Sequence, residues 1–245
     1  MSGRGRILVV DDDRDMVRTL GDVLRIHGWE VATAHSGEEA VRQVRDHSFT
    51  VVVMDIKMSG MDGVAALRRM REIRPLTRVI LMTAYSTLAL IEEAIGAGVI
   101  EVLSKPVVLP NLLDRVSQAA QEPRPILVVD DDPDFLMTLC QDLEKSGLRT
   151  HAARNLTEAL AHLEEDTIPV VLLDLRLEGV SGTDTVLAIK EASPAVLFVL
   201  FTGHPGMLDE VEADVPHGWI VASLLKPFDP ARLIAILERT DGAQD

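Results

Sequence analysis

The chain has one cysteine, Cys140, among its 245 residues. A single thiol excludes an internal disulfide framework and fits a reducing cytoplasm. Its neighbours Leu139 and Leu143 predict a small buried helix residue rather than a reactive thiol. Long apolar runs are missing as well. Those present, such as Ile7 to Val10 and Val51 to Met54, are strand-sized, against the ~20 residues a membrane helix needs. Arg4 and Arg6 precede the first run, but that run ends at Asp11, which excludes a secretory signal. A cytoplasmic protein with no membrane partner is therefore expected. Basic charge is also scarce, for the formal net charge is −15. Residues 1–122 hold 15 Lys+Arg and 17 Asp+Glu, a net −2, and residues 123–245 hold 9 and 22, a net −13. Neither half is basic, which excludes phosphate-backbone binding to nucleic acid by this chain. The acidic second half either repels anionic partners or is simply solvated. The seven histidines show no metal-ligand spacing.

What is present is an ordinary apolar content, 47%, enough for globular cores and too high for a disordered chain. The length allows one large domain or two small ones. An internal repeat decides between them. Ile7-Leu-Val-Val-Asp-Asp-Asp13 returns as Ile126-Leu-Val-Val-Asp-Asp-Asp132, an offset of 119. At the same offset, Val51-Val-Val-Met-Asp-Ile-Lys-Met-Ser-Gly-Met-Asp-Gly63 matches Val170-Val-Leu-Leu-Asp-Leu-Arg-Leu-Glu-Gly-Val-Ser-Gly182, and Thr83 matches Thr202. Lys105-Pro106 and Lys226-Pro227 are offset by 121, so the second copy gains two residues before its last strand. A period this long means duplicated domains, not a solenoid. The boundaries read as 1–121 for the first domain, 122–125 for a linker and 126–245 for the second. Two prolines in Gln121-Glu-Pro-Arg-Pro125 predict a stiff connection.

Within each copy, short apolar runs alternate with helical patterns. Met16, Val17, Leu20, Val23, Leu24 and Ile26 keep close to a 3.6-residue period after the first strand. Strands are predicted near 30–34, 51–55, 78–83 and 101–104, and helices near 37–46, 64–73, 87–96 and 109–120. Five strands alternating with five helices indicate an α/β domain with a parallel sheet covered on both faces. The wholly apolar third strand agrees, since both its faces would be buried.

In an open parallel sheet, ligands collect beyond the C-terminal strand ends. Asp11, Asp12 and Asp13 stand there after strand one, and Asp55 after strand three. If those strands are neighbours, the carboxylates converge, and several anions in one crevice need a cation or a proton. A hard divalent ion such as Mg²⁺ suits carboxylates plus phosphate oxygens and water. Thr83 closes strand four and Lys105 strand five, adding a hydroxyl donor and a compact positive charge. The second copy supplies Asp130, Asp131, Asp174, Thr202 and Lys226. A carboxylate nucleophile, a cation site, a hydroxyl and an ammonium together fit phosphoryl transfer to aspartate. Asp13 and Asp132 each precede a helix and are expected to cap it. Gly60, Gly63, Gly179 and Gly182 read as backbone devices rather than phosphate cradles.

With these motifs in order and twice over, each copy resembles a response-regulator receiver domain of two-component signalling, across about 7–120 and 126–239. The resemblance implies two doubly wound, flavodoxin-like (βα)5 domains with strand order 2-1-3-4-5. It implies phosphorylation at Asp55 and Asp174 by a histidine kinase or histidine phosphotransfer protein. It implies Asp12 and Asp131 as direct Mg²⁺ ligands, Asp11 and Asp130 acting largely through water, and the backbone carbonyls of Lys57 and Arg176 completing the set. Lys105 and Lys226 match the family's lysine, usually followed by a cis proline, and Thr83 and Thr202 its switch hydroxyl. Activity is then self-catalysed phosphorylation and dephosphorylation in the service of signalling, not enzymatic turnover.

Two departures stand out. Three residues before the lysine, where the family usually places a switch aromatic, stand Val102 and Ser223, with Tyr85 and Trp219 nearby but off the pattern. The fourth helix of copy two, within His204 to Pro216, is acidic and interrupted by Pro205, Gly206 and Pro216, so a short helix is expected. The matching stretch Thr87–Ile95 is apolar and continuous. No DNA-binding, cyclase or protease module fits the residues left over, so output is expected through protein–protein contact, phosphate buffering or a domain outside this sequence. A pseudo-receiver scaffold that is never phosphorylated is the alternative reading. An aspartate-nucleophile phosphatase would need a second acid two residues after the nucleophile, where Lys57 and Arg176 stand.

Overall fold

The computed structural model describes residues 5–84, 87–121, 125–177 and 179–238. These fall into two compact units. The first runs β1 (Arg6–Val10), α1 (Arg14–Ile26), β2 (Glu30–Ala34), α2 (Gly37–Asp46), β3 (Val51–Asp55), α3 (Gly63–Ile73), β4 (Val79–Thr83), α4 (Leu88–Gly96), β5 (Glu101–Ser104) and α5 (Leu109–Gln121). The second runs β6 (Pro125–Val129), α6 (Pro133–Lys145), β7 (Arg149–Ala153), α7 (Leu156–Glu165), β8 (Val170–Asp174), α8 (Gly182–Ala192), β9 (Leu197–Thr202), α9 (Pro205–Asp214), a 3₁₀ turn (His217–Trp219), β10 (Ile220–Leu225) and α10 (Pro230–Glu238).

Each unit holds one five-stranded parallel sheet, ordered β2-β1-β3-β4-β5 and β7-β6-β8-β9-β10. The two orders are the same, and both are the doubly wound flavodoxin-like arrangement. β3, β4, β8 and β9 are buried at every position, because helices cover both faces. In the first unit Val52 and Met54 face a core closed by Val44, Leu67 and Met70. Val51 and Val53 face the opposite core, closed by Leu20, Leu24, Leu112 and Val116. β1 pairs β3 with Val10 opposite Met54, so Asp11 and Asp55 leave the sheet side by side.

Local chemistry sets the helix starts. Asp13 caps α1 through Asp15 N and Met16 N, and Asp132 caps α6 through Asp134 N and Phe135 N, as expected. Ser36 and Glu39 fasten the start of α2: Ser36 Oγ accepts from Glu39 N at 3.2 Å and Glu39 accepts from His35 N, the residue before the cap, at 2.7 Å.

Several expectations change. α9 is ten residues long and no shorter than α4, because Pro205 occupies its first turn, where a proline removes no helical hydrogen bond. Pro216 lies beyond its C-cap, Val215. Pro125 is not linker but the first residue of β6, paired with Arg149, a position a strand tolerates in proline. The rest of the expected linker, 122–124, lies outside the described residues, as does Tyr85. Cys140 is half-buried rather than buried, and burial pushes its thiol above the ordinary range. The extra residues of the second copy fall between Thr202 and Lys226, a stretch in which β10 has a register shift between Ile220 and Ala222.

Candidate functional site

Carboxylates gather at the C-terminal edge of both sheets. A carboxylate oxygen from each of Asp11, Asp12 and Asp55 lies within 4.8 Å of the others, and Asp130, Asp131 and Asp174 repeat the cluster. In each, the two strand-end acids are buried and the middle one is exposed: Asp11 is 1% and Asp55 5% exposed, and Asp130 0% and Asp174 6%. Asp12 is anchored from the loop after β3, where Ser59 donates to its Oδ2 through the backbone N–H at 3.0 Å and the hydroxyl at 3.3 Å. Ser59 was not legible as a site residue beforehand. Its only signal was its place four residues after Asp55, and at the same offset the second copy has Glu178, outside the described residues.

One lysine reaches into each cluster. Lys105 Nζ donates to Asp11 Oδ2 at 2.7 Å and lies 2.8 Å from Asp55 Oδ1. Lys226 Nζ donates to Asp130 and, at 2.7 Å, to Asp174 Oδ2. The chain delivers these lysines by a fixed route. Lys105 N donates to Thr83 O at 2.7 Å and Lys226 N to Thr202 O at 2.9 Å, so each strand-five end is tied to strand four. A cis peptide follows each lysine, at Lys105-Pro106 and Lys226-Pro227, as the resemblance implied. Thr83 and Thr202 are buried at the same edge. Thr202 Oγ1 accepts from His204 N at 3.2 Å at the entry to α9.

Burial governs the electrostatics. It pushes the Asp55 carboxyl above the usual range, against the pull of Lys105 and with the help of the Asp11 and Asp12 charges. Asp130 is raised by burial in the same way, against Lys226. Burial disfavours both ammonium groups too, yet the hydrogen bonds and charges of their paired aspartates outweigh it and hold Lys105 and Lys226 above the ordinary lysine range. Three carboxylates and one lysine leave each cluster two negative charges in excess. Hard oxygen donors at that charge fit a divalent cation such as Mg²⁺, and an exposed middle aspartate gives it a way in. The second copy also fixes its nucleophile candidate from the loop: Arg176 N donates to Asp174 Oδ1 at 2.9 Å. Lys57 and Arg176 both follow their aspartates by two residues, at the rim of the cluster.

The switch positions differ from the usual arrangement in two ways. Val102 packs against the first core. Ser223 instead donates through its hydroxyl to Glu212 of α9. Trp219 lies in the turn before β10, with Lys190 Nζ 4.9 Å from its ring centroid.

The chain is similar to known proteins along most of its length. A family model described as "Response regulator receiver domain" matches residues 7–117 and 126–238. A response regulator receiver protein of Anaeromyxobacter sp. (strain Fw109-5) is 34% identical over 239 residues, covering 96% of this chain and 94% of that protein. Chemotaxis protein CheY of Bacillus subtilis (strain 168) is 35% identical over 114 residues, 46% of this chain and 95% of CheY. Transcriptional regulatory protein ZraR of Escherichia coli (strain K12) is 40% identical over 113 residues, and the match spans 46% of this chain but 26% of ZraR. Among solved structures, a CheY-like receiver domain protein of Methanospirillum hungatei JF-1 is 29% identical over 47% of this chain and 92% of its own, with a TM-score of 0.46. No helix among the described residues is long and apolar enough to cross a membrane.

Proposed function

The chain belongs to the response regulator receiver domain family, and from that premise we propose a tandem phosphoacceptor of two-component signalling. Asp55, Asp174 or both accept a phosphoryl group from a histidine kinase or a histidine phosphotransfer protein. The observation that carries this reading is the doubled constellation: a buried strand-end aspartate, two further acids and a lysine bridging them, in each sheet.

In the transfer, a carboxylate oxygen of Asp55 forms a bond to phosphorus as the bond from phosphorus to the donor's imidazole nitrogen breaks. The nitrogen keeps the electron pair and takes up a proton, and the aspartate becomes an acyl phosphate. Lys105 supplies a positive charge 2.8 Å from the acceptor and shields it from Asp11. The Thr83 hydroxyl serves as donor to a phosphoryl oxygen. Mg²⁺ held by Asp11, Asp12, Asp55 and the carbonyl of Lys57 would neutralise charge on the transferring group. Asp130, Asp131, Asp174, the carbonyl of Arg176, Thr202 and Lys226 play the same parts in the second domain. The protein is a self-phosphorylating and self-dephosphorylating signal carrier rather than a turnover enzyme, and it signals by protein–protein contact. Its domains are taken as 1–121 and 125 onward.

Acetyl phosphate with Mg²⁺, borohydride trapping and mass mapping test this on wild type, Asp55→Asn and Asp174→Asn. Label is expected at both aspartates in wild type, each lost only in its own variant, and none when EDTA replaces Mg²⁺. Unlabelled wild type at both positions would leave the scaffold reading instead.

A further inference from the structure

The two lysines are not seated alike. Lys226 Nζ stands 4.0 Å from the ring centroid of Phe135 and 4.9 Å from that of Phe201. Both lie within the ~6 Å over which a ring face attracts a cation. The rings brace one another: centroids are 5.6 Å apart for Phe135 and Phe201, 6.0 Å for Phe135 and Phe228, and 5.6 Å for Phe201 and Phe228. Three elements supply them. Phe135 comes from the first turn of α6, Phe201 from the buried end of β9, and Phe228 follows the Lys226-Pro227 cis peptide. At the corresponding positions the first domain has Met16, Met82 and Val107, apolar side chains without rings. Five of 245 residues are phenylalanine, and three of the five converge here.

We infer that Phe135, Phe201 and Phe228 form an aromatic seat that holds the Lys226 ammonium on the Asp130–Asp174 pair, making Phe135 a positioning residue for phosphoryl acceptance by Asp174. A lysine carries its charge on a flexible four-carbon stem, so two carboxylates alone leave the stem free to swing once one carboxylate is modified. A ring face against the ammonium restricts that swing. A charge already in position does not have to be reorganised as the phosphoryl group arrives. The kinetic half of this inference rests on the phosphoacceptor reading of Asp174; the seat itself does not.

The test uses the full chain, labelled with ¹³C at lysine Cε, and acetyl phosphate with Mg²⁺ as phosphodonor. The chain has five lysines, so their Hε signals are resolvable. Ring currents are expected to shift Lys226 Hε upfield of Lys105 in wild type. Phe135→Met should shrink that shift, leaving the part due to Phe201, and Phe135→Tyr restore it, while Lys190, beside Trp219, stays unmoved in both variants. In the same samples Phe135→Met should slow labelling of Asp174 by about threefold to tenfold. KM for acetyl phosphate should not change, Phe135→Tyr should recover the rate, and Asp55 should label as in wild type. A wild-type Lys226 signal level with Lys105 overturns the seat, and that measurement needs no variant to fold. An unchanged Asp174 rate in Phe135→Met overturns the positioning role. An upfield Lys226 with no label on wild-type Asp174 overturns the phosphoacceptor reading of the second domain and the positioning role with it, while leaving the seat.

Discussion

At the scale of single residues, Asp55, the proposed acceptor, is held from behind by a glycine. A Cβ on Gly63 would lie 2.4 Å from Asp55 O and 2.9 Å from Ile56 Cα, both backbone atoms with nowhere to go. Gly63 N meanwhile donates to Ile56 O at 2.8 Å, so the start of α3 is stitched to the loop leaving β3. Gly63→Ala therefore has to displace the backbone that aims Asp55. A loss of roughly 1–3 kcal/mol in the first unit is expected from overpacking alone, read by urea unfolding, together with slower labelling of Asp55 and normal labelling of Asp174. The counterpart Gly182 faces the Leu175 side chain at 2.9 Å, which can turn aside, so Gly182→Ala should be milder. Equal losses in the two variants would contradict the argument. The repeat made both glycines visible as turn devices. It could not distinguish a backbone neighbour from a side-chain neighbour, because that depends on how closely helix and strand approach.

At the scale of elements, the order of strands and helices could be read almost residue by residue, and for a clear reason. The strands β3, β4, β8 and β9 are buried on both faces and helices such as α1 and α2 carry one apolar stripe, so most elements are nearly forced by their own pattern. What could not be read is how helix ends are fastened to one another. Arg74 illustrates this: it is 6% exposed and looks like a surface residue on composition alone. Its Nε donates to Val44 O at 2.5 Å, and its terminal nitrogens donate to Ser48 Oγ at 3.1 Å and Arg45 O at 3.4 Å. It therefore caps the C-terminal carbonyls of α2 from the end of α3. Arg71, on the last turn of α3, reaches the other way to Ala97 O at 3.2 Å, and burial pushes its guanidinium down to about 10. The second copy has Ser193 and Lys190 at these positions; Lys190 Nζ donates to Pro194 O at 2.9 Å, and the guanidinium tie of Arg74 to α2 has no counterpart in residue type there. Arg74→Met keeps most of the apolar stem and removes the charged donors. It should destabilise the first unit by about 2–4 kcal/mol, as a buried charge-assisted network does when cut. A thermal midpoint unchanged from wild type would show that water replaces the guanidinium at no cost. α9 teaches the complementary lesson. Its prolines suggested a short helix, but a proline's effect depends on its turn, and Pro205 stands where the helix has no bond to lose.

At the scale of the whole molecule, the 119-residue offset fixes two similar sheets, yet the halves carry very different charge. Residues 123–245 have a net −13, against −2 for residues 1–122. A single unit of that size with so many like charges repels itself, and the repulsion is a surface effect that salt removes. Raising ionic strength from about 0.01 to about 0.1 M shortens the screening length from about 30 to about 10 Å, less than the width of either unit. The second unit should gain roughly 1 kcal/mol, or a rise of about 4 °C in its midpoint. The first unit should hardly move. The two tryptophans let each half be followed inside the intact chain, since Trp29 is buried behind β1 and β3 and Trp219 is half-buried beside Lys190. Fluorescence melts of Trp29→Phe report the second unit and those of Trp219→Phe the first, with EDTA present so that divalent ions do not stabilise the acidic clusters selectively. Parallel shifts in both variants would mean that the acidic excess is spread too thinly, or paired too locally, to act as a field.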